Sequence, residues 1–209
     1  MQNGLIISAA IPVKDALDNR GLYELSLGVG DNRNHRLHRF LNNYPPLPFE
    51  ITQDDLNQIE VLLDFPEANL EAREWTPFEK IFFANLWKDA KLKGLKKIIK
   101  GVQEAINEGQ DEPRDAIAYN YLGRHLVDLL NNPIIDQHTY RAFRLLDHLV
   151  DDSELTAIRR IKTVPSAEEA DAYCEWYRGI LRREEITCYQ QSRKIDSLLF
   201  ALGKYAKLR

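Results

Sequence analysis

From Thr52 onward, apolar residues recur three and four positions apart, with short polar or breaker stretches between the runs. Phe78, Phe82 and Leu86 share one helical face, with Trp87 beside them. Leu95, Ile98, Ile99 and Val102 form another such face, and Ile195, Leu198, Leu199 and Leu202 a third. Start signals accompany the pattern. Thr52 with Asp55, Thr76-Pro77-Phe78-Glu79, and Ser166 with Glu169 each place a capping side chain ahead of an apolar run. Breaks fall at Gly94, at Gly109 to Pro113, at Asn131 to Pro133 and at Val164-Pro165. These features predict helices near 53–64, 76–90, 94–108, 113–131, 134–149, 152–162, 166–187 and 191–207. The first 50 residues read differently. G-L-I-I-S-A-A-I-P suits a short strand, and G-L-Y-E-L-S-L-G-V-G alternates with a period of two. A short helix over N-H-R-L-H-R-F-L-N-N-Y follows and is stopped by Y-P-P-L-P. The expectation is a mostly α, multi-helix globular domain over 51–209, preceded by a mixed α/β extension over 1–50.

Composition narrows the classes. The chain has 209 residues, 44% hydrophobic and 29% charged, enough to bury a core. Its net charge of −4 argues against a generally basic coat. The charge is uneven, however. Lys88 to Lys100 carries six lysines (among them Lys91, Lys93, Lys96, Lys97 and Lys100) and one aspartate, on a background that sums to −9. Such a strip is either a solvated helix face or a grip for a polyanion. Cys174 and Cys188 form no C-x-x-C pair, so a structural zinc site or a four-cysteine cluster is not expected, and a reducing, cytoplasmic setting is. No apolar run approaches ~20 residues, so no membrane span is expected. His35 and His38 lack a nearby acid or cysteine to complete a metal set, and no phosphate-binding G-x-x-x-x-G-K-[ST] occurs. The expectation is therefore no metal and no cofactor. Oligomeric state cannot be read from the sequence.

One segment concentrates chemistry. In P-I-I-D-Q-H-T-Y-R-A-F, Pro133 to Phe143, an aspartate follows two isoleucines, and a histidine and an arginine lie within the next five positions. Asn132-Pro133 closes one helix, which puts Asp136 at the first turn of the next. Asp136 then either caps that helix, with His138 and Arg141 on its surface, or is a fixed carboxylate in a site.

The eight residues I-I-D-Q-H-T-Y-R resemble the catalytic-aspartate segment of the helix-hairpin-helix (HhH-GPD) DNA glycosylases, which runs roughly V-D-T-H-V-x-R. The match falls on Asp136, His138 and Arg141 and extends over about 35 residues, Asp115 to Leu149. The resemblance implies an all-helical glycosylase-type body and DNA as partner. It also implies Asp136 as the carboxylate that activates water or stabilises the sugar cation while a modified or damaged base departs. Two departures bear on this. No glycine lies between Pro113 and Leu122, where the family has a glycine-rich hairpin, and no lysine lies between Pro113 and Arg144. The implied activity is thus monofunctional N-glycosidic hydrolysis, using water rather than a lysine nucleophile.

Around Asp136 the sequence offers supporting residues. Tyr121 and His125, four apart on the preceding helix, share a face and with Trp87 and His138 are the candidate pocket residues; their other reading is core packing. Arg141 and the lysine strip (Lys91, Lys93, Lys96, Lys97, Lys100) are the candidate phosphate contacts. The C-terminal helix ends in a basic turn, which offsets its dipole or meets a phosphate. The alternative to base excision is a non-catalytic helical module that binds DNA or a protein.

Overall fold

A computed structural model describes residues 2–33, 35–41, 47, 49–57, 92–107, 117–147 and 152–207. Nine helices are delimited among them: α1 (Gln2–Asp18), α2 (Leu22–Asp31), α3 (His38–Leu41), α4 (Leu92–Ile106), α5 (Ile117–Val127), α6 (Gln137–Asp147), α7 (Asp152–Arg160), α8 (Ala167–Arg183) and α9 (Tyr189–Ala206). Residues 53–57 are helical as well. The described residues contain no strand, and none of their helices is long and apolar enough to cross a membrane. The mostly helical expectation holds. The helix expected over 76–90, with Trp87, lies outside the described residues, as does Lys91.

The first 50 residues depart from expectation. Both segments read as strands are helices. In α1 the buried residues Ile6, Ala9, Ala10, Val13 and Leu17 are spaced at three and four, and Pro12 sits within the helix at the cost of one backbone hydrogen bond. In α2 the buried positions are Leu22, Ser26 and Val29, a helical spacing that overrides the apparent alternation. Its start is fixed from far along the chain. Leu22 N and Tyr23 N donate to the Glu184 carboxylate at 3.0 and 3.3 Å, so the side chain that caps α2 comes from 162 residues away.

The chain forms two compact units. One comprises Met1–Pro48 and Leu129–Arg209, the other Phe49–Asp128. In the first unit α9 is the central element. Its Ile195, Leu198, Leu199, Ala201 and Leu202 are fully buried, and α1, α2, α3 and α6 all pack on it. α8 contributes Tyr173, Tyr177 and Ile180 to the core. It starts as expected, with Ser166 Oγ accepting from Glu169 N at 3.3 Å, glutamates in the first turn and arginines in the last, both suited to the helix dipole.

In the second unit α4 and α5 run antiparallel in close apposition. Cβ atoms on Gly101 and Gly123 would overlap the carbonyls of Asn120 and Ile98, so glycine is required at both. Ile99 and Val102 of α4 close over Leu56, and Ile51 N donates to Leu126 O at 2.7 Å. A polar network ties the two helices further. Glu104 accepts from Asn120 Nδ2 and Arg124 NH2, each at 3.0 Å.

Candidate functional site

The N-N-P turn before α6 is held by α8. Arg178 Nε donates to Asn131 O at 3.1 Å and its NH2 to Asn132 Oδ1 at 2.9 Å. Pro133 and Ile135 are buried, which aims the chain into the first turn of α6. There Asp136 Oδ1 accepts from His138 N at 2.6 Å and Thr139 N at 3.0 Å. Thr139 Oγ1 in turn accepts from Asp136 N at 2.9 Å. This is a reciprocal capping box with threonine in the place usually taken by glutamate. Asp136 is half-buried and serves as the N-cap of α6.

His138 and Arg141 meet on the next turn. Arg141 NH1 lies 3.0 Å from His138 Nδ1. A guanidinium only donates, so this contact assigns Nδ1 as the acceptor and places the imidazole proton on Nε2. Burial lowers the His138 pKa below its ordinary value of 6.5; the Asp136 charge opposes the shift, and Arg141, Lys207 and Lys204 add to it. The ring also packs edge-on against Phe200, centroids 5.1 Å apart. Arg141 NH2 donates to Gln137 Oε1 at 3.0 Å and to Ile161 O in the turn after α7. Arg141 is 1% exposed, and burial lowers its pKa against the pull of Asp136. The His138 and Arg141 side chains thus meet, while the Asp136 carboxylate bonds backbone N–H groups.

Tyr121 and His125 are buried on α5, in the Phe49–Asp128 unit, where the Arg124 guanidinium covers the Tyr121 ring at 5.4 Å. Both side chains are buried, so they do not line an open pocket wall. Lys97 and Lys100 lie on α4 of the same unit, half-buried and exposed respectively; the side chains of Lys93 and Lys96 lie outside the described set.

A cavity of about 750 Å³ opens beside Arg141. Among the described residues its cations are Arg141, Arg159, Arg160, Lys162 and Lys207, and no carboxylate of that set lines it. Arg159 and Arg160 end α7, Lys162 follows in the turn, and Lys207 caps α9. No family model, no curated protein and no solved structure matches this chain. Of these cations the sequence reading above names only Arg141 as a site residue. The signals for the rest were R-R-I-K at 159–162 and the basic end of the last helix, both of which also read as ordinary dipole compensation.

Proposed function

We propose that this chain binds nucleic acid by its phosphates and holds them in the cleft formed by α6, α7 and the end of α9. The observation that carries the reading is that the described residues around one cavity include five cations and no carboxylate, in a chain whose net charge is −4. A local field of one sign attracts a polyanion whatever the total charge. In this reading Asp136 is the cap that fixes the start of α6, and through it the place of Arg141. The test is affinity for single- and double-stranded oligonucleotides across a salt series. The logarithm of the binding constant falls linearly with that of the salt concentration, by roughly 0.7 to 0.9 per phosphate contact. Arg160→Glu with Lys162→Glu flattens the slope. No binding at low salt sinks the proposal and leaves the protein-partner alternative.

A second reading adds base excision to the same grip. It is supported by the fixed position of the Asp136 carboxylate, tied to two backbone N–H groups one turn from Arg141. A preorganised anion of this kind stabilises a sugar cation. Mass spectrometry of free bases released from normal, alkylated, deaminated and hypermodified DNA tests it. Release by the wild type but not by Asp136→Asn establishes the activity; release by neither removes it and leaves the binding reading standing.

A further inference from the structure

We propose that the cleft receives the terminal phosphate monoester of a nucleic-acid strand, with Arg141 at its floor. The inference rests on the nucleic-acid reading above. Arg141 lines the cavity although it is 1% exposed. Its bonds go to neutral acceptors only: His138 Nδ1, Gln137 Oε1 and Ile161 O. Its Nε has no partner, and no carboxylate of the described residues pairs with it. Burying a guanidinium is costly, and the Asp136 charge, which makes no direct bond to it, opposes that cost without cancelling it. A bound anion supplies a counter-charge in direct contact.

Reach and charge select which anion. An internal phosphodiester carries a sugar on each side and cannot descend to a residue so little exposed. A terminal phosphate is bare on one side, with three oxygens to offer, and carries about −1.5 to −2 at neutral pH against −1 for a diester. Arg160, Lys162 and Lys207 are exposed at the rim, placed for the diesters that follow. The cavity volume falls within the range of pockets that enclose small ligands, which suits one nucleotide unit. Three of the five guanidinium N–H donors of Arg141 are used by its contacts to His138, Gln137 and Ile161, which leaves one on NH1 and the buried Nε–H for an anion.

A free mononucleotide presents the same phosphate, so the experiment separates the two sources. Anisotropy measures binding of one short oligothymidylate bearing a 5′-phosphate, a 3′-phosphate or hydroxyls only, with thymidine monophosphate as competitor. One phosphorylated end binds about tenfold tighter than the hydroxyl-ended strand, and the mononucleotide competes far more weakly than the strand. Arg141→Lys keeps the charge but removes the guanidinium donors, so the ratio of the affinities for the phosphorylated and the hydroxyl-ended strand falls toward one. Circular dichroism checks its fold; should that variant unfold, the wild-type comparison of strand ends decides alone. Equal affinity for all three strands overturns the end-binding inference and leaves nucleic-acid binding intact. No binding to any strand overturns both. A mononucleotide that competes as well as the phosphorylated strand keeps phosphate at Arg141 and overturns the strand as its source.

Discussion

Asp136 spends one carboxylate oxygen on two backbone amides, and that use decides how its variants behave. Removing the acceptor in Asp136→Ala costs about 1 kcal/mol, the ordinary value of an N-cap. Asp136→Asn keeps an acceptor oxygen and costs less, so the two variants separate in a urea titration. His138 gives a pH signature. Its pKa is lowered by folding, so below pH 6.5 the unfolded chain takes up the proton first. Stability is therefore full above pH 6.5 and declines as the pH falls through it. The urea midpoint measured from pH 8 to pH 5 shows this decline in the wild type and a shallower one in His138→Gln. Protonation also removes the lone pair that accepts from Arg141. Asp136, His138 and Arg141 were legible in the sequence because they lie within one helical turn and a half. Arg160, Lys162 and Lys207 were not, because local spacing carries no information on how α7 and α9 pack beside α6.

At the scale of elements, close backbone approach matters more than propensity. Gly203 of α9 passes so near the start of α6 that a Cβ there would overlap the carbonyl oxygen of His138. Gly203→Ala pushes the two helices apart and destabilises by about 1–3 kcal/mol or more, read as a lower thermal midpoint. On the proposed phosphate cleft it also weakens oligonucleotide binding, because α6 carries Arg141 and Lys207 caps α9. A glycine in the last turns of a helix gave no such warning in sequence, where it only lowers helix propensity. The helices α1 and α2 make the same point in reverse. A short apolar run does not distinguish strand from helix by periodicity. Two glycines weaken α2, yet its packing on α9 and the Glu184 cap hold it helical.

Over the whole molecule, charge separates the two basic features by unit. The lysines of α4 belong to the Phe49–Asp128 unit, and the cleft belongs to the other. If the cleft holds the phosphates, reversing Arg160 and Lys162 flattens the salt slope more than reversing Lys97 and Lys100, and paired binding series show it. The sequence by itself determined the helical class, the positions of α4 to α9 and the capping role open to Asp136. Those are set by short-range hydrogen bonding and by periodicity within about 15 residues. Tertiary structure alone decided three things: that the first 48 residues join the C-terminal helices, that Tyr121 and His125 are core, and that cations from three separate segments face one cavity. Each depends on which apolar faces bury against one another, and a local pattern shows that a face is apolar without showing what covers it.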